Sequence, residues 1–257
     1  MKAFSKKKYA FCHDYSNLIE IWHSLSSANH LRIKKFAESD GYPLFEISSV
    51  ANGPEKLIYL SAGIHGDEPA GVWGLLYWLL NHIKVLHEIN LLIYPCLNPW
   101  GFINNSRLDS DGRDLNRYWH SKKKSAISSI KERINGLDSC LAINLHEDFD
   151  ADGIYLYEST VRKKHDDLAH EILSSGSKHI PIDSRKKIEG RWSKNGIIRP
   201  TKDSLPKEGL PEAAFLQENF SGRTFVFETP SEYDLGIRVK AHIAMLERTM
   251  KEFLTKV

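Results

Sequence analysis

Cysteine, long apolar runs and an excess charge of either sign are all scarce in this chain, and each scarcity removes a class of protein. Three cysteines, Cys12, Cys96 and Cys140, make no CxxC pair and no disulfide framework. Two of them fall inside apolar runs, which reads as core thiols in a reducing compartment. No apolar stretch reaches the roughly 18 residues needed to cross a bilayer. The lysine-rich start, Met1 to Lys8, is not followed by the apolar segment of a signal peptide. With 35 Lys+Arg against 33 Asp+Glu there is no electrostatic footprint for nucleic acid or an anionic membrane. Internal repeats and low-complexity tracts are missing as well. A soluble, cytoplasmic enzyme with a small substrate is the expectation. The 257 residues, 41% of them hydrophobic, suffice for one large core, and residues 1–257 are read as one domain.

What is present alternates between strand and helix. Asp14 or Ser16 can cap a helix through Ala28, with Leu18, Ile21, Trp22 and Leu25 on one face. Residues 31–37 and 43–49 read as strands joined through Ser39-Asp40-Gly41-Tyr42, a hairpin signal, and Asn52-Gly53-Pro54 as the next turn. A buried strand over 57–60 leads to a helix with Pro69 in its first turn. A second strand, 89–96, is broken by Asn98-Pro99-Trp100-Gly101. The polar stretch 102–119 is too long for a simple connection, and such loops usually have a function. Ile127, Ile130 and Ile134 mark a helix ending at Gly136, and a third strand, 140–145, delivers His146 at its end. A strand over 153–157 and a helix stopped by Gly176 follow. Residues 177–219 read as loops and short elements over one end of the sheet. A last strand, 223–227, ends at Glu228, and Val239, Ile243, Leu246, Met250 and Phe253 stripe the closing helix. Strands alternating with helices predict an α/β sheet covered on both faces, with ligands gathering beyond the strands' carboxyl ends.

Chemistry-bearing residues collect at those ends. His65 and Glu68 stand three residues apart on the turn between the Leu57 strand and the Pro69 helix, where Gly63, Gly66 and Gly71 permit a sharp bend. An imidazole and a carboxylate aimed at one point suit a zinc ion with nitrogen and oxygen ligands. Taken alone, the pair reads equally as solvated loop residues or as helix caps. His146 and Glu228 arrive at the same ends of two further strands.

In series, these motifs resemble the zinc carboxypeptidase family and its aspartoacylase and succinylglutamate desuccinylase relatives. The family's HxxE is similar to His65-Gly66-Asp67-Glu68, its NPxG turn to Asn98-Pro99-Trp100-Gly101, and its arginine followed by DLNR to Arg107 with Asp114-Leu115-Asn116-Arg117. His146 looks like the distal ligand histidine and Glu228 like the catalytic glutamate. The resemblance implies a three-layer α/β/α fold with a mixed, mostly parallel twisted sheet. It implies one zinc ion held by His65, Glu68 and His146, with a fourth position open to water. Glu228 would take a proton from that water and return it to the leaving amine. Arg107 would polarise the substrate carbonyl, and Asn116 and Arg117 would hold the substrate carboxylate. Asp114 would orient a zinc histidine, His65. Solvated faces remain the alternative for Arg107 and Arg117, and Arg113 reads as such a face residue.

Three departures bear on the substrate. Glu68 and His146 stand 78 positions apart, closer than in the digestive carboxypeptidases. No tyrosine lies between Gly190 and Phe227, where those enzymes keep a mobile one, leaving Tyr157 or Tyr233 as replacements. The Gly66-Asp67 spelling resembles bacterial amidase members acting on small peptides. The implied activity is zinc-dependent hydrolysis of a C-terminal peptide or amide bond in a small carboxylate-bearing substrate. The alternatives are N-acyl amino acid deacylation by the same chemistry, or an idle peptide-binding protein of the same fold. His120, His165, His170, His179 and His242 have no partner at ligand spacing, and the basic stretch from Arg185 to Lys202 reads as a solvated loop.

Overall fold

The computed structural model describes residues 12–29, 31–49, 57–84, 89–161, 165–201 and 205–254. Met1 to Lys8, the Asn52-Gly53-Pro54 turn and Lys202 lie outside them. Helix α1 (Tyr15–Ala28) starts at Asp14, whose side chain accepts from the Asn17 N–H. The hairpin follows as β1 (Arg32–Ser39) and β2 (Tyr42–Ser48), closed by Asp40 and Gly41, both at positive φ. Then come β3 (Leu57–Ala62), α2 (Pro69–Asn81), β4 (Asn90–Tyr94), α3 (Pro99–Asn104), α4 (Ala126–Ile134) and β5 (Ser139–Asp148). The second half holds β6 (Tyr155–Thr160), α5 (Leu168–Gly176), β7 (Lys187–Ile188), β8 (Arg191–Trp192), β9 (Ile197–Ile198), α6 (Glu212–Asn219), β10 (Arg223–Pro230) and α7 (Leu235–Leu254).

Eight strands form one sheet in the order β1-β2-β4-β3-β5-β10-β6-β9, while β7 and β8 pair as a separate ribbon. The centre, β4-β3-β5-β10, is parallel, and antiparallel pairs flank it on both sides. Alternation along each strand divides the core in two. Ile58 and Leu60, Leu141, Ile143 and Leu145, and Phe225 and Phe227 turn to the face packed by α1, α2, α5 and α7. Tyr59 and Ala142 turn to the opposite face, against α4 and α6. The expected three-layer, mostly parallel architecture is therefore present. No helix among the described residues is long and apolar enough to cross a membrane.

Two local expectations are corrected. Asn98-Pro99-Trp100-Gly101 does not simply break a strand; it opens α3, with the Asn98 side chain accepting from Gly101 N–H, so the polar loop begins only after Asn104. His146 and Glu228 lie inside their strands, not at the ends, because β5 and β10 continue their ladder through Glu147↔Thr229 and Asp148↔Pro230. The 177–219 stretch holds loops and short elements as expected: the two-residue strands β7, β8 and β9, of which β9 joins the large sheet, and the eight-residue helix α6, which buries Leu216.

Candidate active site

The turn after β3 is compressed against the start of α3. The Gly66 N–H donates to the Ser106 carbonyl at 3.0 Å, and a Cβ on Gly66 would stand 1.9 Å from the Gly101 carbonyl carbon. Only glycine allows that approach, which draws HxxE and NPxG into one structural unit. Glu68 then occupies the N-cap position of α2 without capping it. Its carboxylate turns inward to two imidazoles, with His65 Nδ1 2.6 Å from Oε1 and His146 Nδ1 2.8 Å from Oε2. The helix start is served instead by Glu147, whose Oε1 accepts from Ala70 N–H at 2.6 Å and whose other oxygen pairs with Arg238 on α7. Glu147 follows His146 on β5 and so points to the opposite face of the sheet. Its sequence signal is the Glu147-Asp148 pair directly after His146.

His65, Glu68 and His146 are all buried, and one ligand atom from each lies within 4.8 Å of the others. Their chemistry fits a cation. Asp114 can only accept, so the 3.1 Å contact between its Oδ1 and His65 Nε2 requires the proton on Nε2. A neutral His65 ring then turns a lone pair on Nδ1 towards the Glu68 carboxylate, an arrangement relieved by a positive ion between them or by a second proton on the ring. In the metal-free chain the second proton is favoured. Burial pulls His65 down, but the Glu68 charge and the bonds to Asp114 and Glu68 outweigh it, pushing the ring up to about 9. Metal uptake must displace that proton, so the apparent zinc affinity should rise with pH until about 9, by about tenfold per unit. Competition titrations against a chelator across that range would show it, and a flat profile would refute it. By the same linkage, His65 stabilises the metal-free fold fully below the ordinary imidazole range, and that stability is lost as pH rises through about 9.

Glu228 faces its neighbour His146 in register across the parallel β5/β10 pair, roughly 4.8 Å away in the hydrogen-bonding direction. Burial, and then the negative charge of Glu68, push its carboxyl well above the usual carboxylate range. Arg107 reaches in from the loop after α3, with Nη1 3.5 Å from Glu68 Oε1 and Nη2 3.2 Å from Asp114 Oδ2. Asp114 also accepts from the Asn116 N–H, capping a 3₁₀ turn over Leu115–Arg117. One carboxylate thus ties His65, Arg107 and the Asn116-Arg117 turn together. It is held well below the usual range because the His65 bond and charge, with Arg107 and Arg117, overcome its burial.

A cavity of about 460 Å³ opens beside these groups, lined by His65, Glu68, His146, Arg107, Asn116, Arg117 and Glu228. Tyr157 also lines it, donating to Glu189 on the turn between β7 and β8, whereas Tyr233 packs against the large core. The basic stretch is not a solvated loop throughout. Arg185 pairs with Asp183, Arg199 with Glu158, and Arg191 lines the cavity. Arg113 pairs with Asp109 and Asp111 away from the cavity. His242 is buried against Thr229, and His165 faces Glu158.

Known proteins resemble this chain in part of its sequence and in its fold. The family model of the succinylglutamate desuccinylase/aspartoacylase catalytic domain matches residues 54–149, the stretch carrying His65, Glu68 and His146. Cytosolic carboxypeptidase 2 of Xenopus tropicalis is 25% identical over 190 residues, 66% of this chain but 19% of that protein. Carboxypeptidase 2 of Trichophyton equinum is 27% identical over 176 residues, 63% of this chain and 31% of its own length. The chain thus spans less than a third of these relatives. A structure described as a metallopeptidase, from Shewanella denitrificans, superposes with a TM-score of 0.83 at 19% identity, over 95% of this chain and 92% of that one. A metallo-carboxypeptidase from Burkholderia cenocepacia gives 0.68 at 12% identity, over 99% and 70%. At such identities the structural likeness speaks for the fold. The chain is thus similar in sequence to carboxypeptidases and, over residues 54–149, to the succinylglutamate desuccinylase/aspartoacylase catalytic domain, and it shares the fold of these metallopeptidase structures.

Proposed function

We propose that this protein is a zinc-dependent hydrolase that releases the C-terminal residue of a small peptide or amide bearing a free carboxylate. The observation that supports it most is the convergence of the His65-Glu68-His146 cluster, Glu228, Arg107 and the Asn116-Arg117 turn on one cavity. His65, Glu68 and His146 would hold the ion. When bound, such an ion acidifies water and polarises a carbonyl. The remaining work belongs to the chain. Glu228, with its raised proton affinity, takes a proton from the attacking water and delivers it to the departing nitrogen. Arg107, half exposed towards the cavity, donates to the oxygen on which negative charge develops. Asn116 and Arg117 grip the substrate carboxylate, the guanidinium offering two parallel donors. The three free thiols suit work in the cytoplasm.

A second reading, N-acyl amino acid deacylation, is favoured by the matched desuccinylase/aspartoacylase domain. Both use the same machinery and differ in which side of the amide carries the recognised group. Side-by-side assays of terminal-residue release from short peptides and amino acid release from N-acyl amino acids separate them. Activity on the second set alone would overturn the first reading, and activity on neither would overturn both. Within the peptidase reading, Arg117→Ala should raise KM by about ten- to a hundredfold while kcat changes little, the loss of a charge-assisted bond made equally in ground and transition states. Steady-state kinetics with a peptide and its C-terminal amide check this, since the amide should be nearly indifferent to the substitution.

A further inference from the structure

Glu212 is a fully buried carboxyl that the reaction outlined above does not use, and it lies between the two halves of the site. Its Oε1 accepts a 2.6 Å hydrogen bond from the Tyr59 hydroxyl. Tyr59 sits on β3, the strand that runs into His65 and Glu68. At the first position of α6, the Glu212 N–H donates to Asn116 Oδ1 at 2.9 Å. With its oxygen so engaged, Asn116 keeps its NH₂ as the group to offer a ligand. Two more contacts join the same segment to the same turn. Trp119 N–H donates to the Leu210 carbonyl at 3.2 Å. Gly209, at φ +149°, backs onto Arg117 so closely that a Cβ would stand 2.0 Å from the Arg117 carbonyl oxygen. Burial pushes the Glu212 carboxyl up to about 7, a desolvation cost that an apolar residue there would not carry.

We infer that residues 209–212 act as a spacer that sets the distance from the metal-side residues to Asn116 and Arg117, with Glu212 its central positioning residue and Gly209 its tight contact. The inference rests on the reading of Asn116 and Arg117 as the carboxylate anchor. Its chemical consequence is selectivity for substrates by length. One bonded path, Tyr59 to Glu212 to Asn116, fixes how far the carboxylate stands from the scissile amide. A terminal α-amino acid should fit, and the same substrate lengthened by one methylene, a terminal β-amino acid, should not.

The test measures kcat and KM for an N-acylated dipeptide, its β-amino acid homologue and its C-terminal amide, in the parent and in Gly209→Ala, Tyr59→Phe and Glu212→Gln. Gly209→Ala should raise KM for the dipeptide about tenfold with kcat changed less than about threefold, and narrow the preference over the homologue about tenfold. Tyr59→Phe, which deletes one hydroxyl without changing the fold's shape, should act in the same direction several-fold. Glu212→Gln retains an oxygen at Oε1 and should recover values near the parent's. Zinc stoichiometry should be unchanged in all three. A parent that demands the carboxylate, beside Gly209→Ala and Tyr59→Phe variants with parental KM and parental length preference, overturns the spacer alone. A parent indifferent to amidation overturns the anchor reading and the inference together. An equal loss on both substrates accompanied by lost zinc would make the segment a general support and also overturn it.

Discussion

Glu228→Gln should bind zinc with the parent's stoichiometry and turn over substrate about a thousandfold more slowly. The substitution preserves size and the place of the side chain beside His146 on the β5/β10 pair, so the metal-side residues are not disturbed. It removes the ability to accept a proton, and general base catalysis typically contributes about 10²–10⁴ in rate. Burial and the Glu68 charge hold the carboxyl well above its usual range, which raises its affinity for the proton it is to take. Metal content by elemental analysis, with kcat from product release, decides the matter. Equal turnover in variant and parent would remove Glu228 from the reaction.

The second large effect is expected at His146. His146→Ala should drop bound zinc from one ion per chain to a small fraction and take turnover to background, with excess zinc restoring little. Glu68 is placed between two imidazoles, at 2.6 Å and 2.8 Å, and losing one leaves a two-ligand set that a structural or catalytic zinc site does not use. Because His146 is on a central strand, thermal melting must accompany the measurement. A variant that still melts cooperatively near the parent's zinc-free temperature, yet carries no metal, shows that a ligand and not the fold was lost. Retention of tightly bound zinc in that variant would overturn the His₂Glu assignment.

How legible the site was depends on distance along the chain. His65 and Glu68 are neighbours on one turn, so spacing alone places them together. His146 and Glu228 are separated from them by many elements, and only the parallel order β3-β5-β10 makes them adjacent. The motif series pointed to both residues, yet it put them at strand ends. Strand ends depend on the partner strand, and here each of the two extends the other's ladder past the functional residue. Glu212 was harder still. A single buried acid has no periodicity, and its purpose, holding the Asn116 turn, lies on an element distant in sequence.

Taken by itself, the order of amino acids determined the alternating α/β class and the Asp40-Gly41 hairpin turn, because both depend on local spacing, and it narrowed the first helix cap to Asp14 or Ser16. Tertiary structure alone decided that Gly66 presses on Gly101, that Glu68 leaves its helix to Glu147, and that Glu212 links Tyr59 to Asn116. Those are contacts between surfaces that meet only after the sheet has formed, and no spacing rule along one chain encodes which backbone will arrive opposite which.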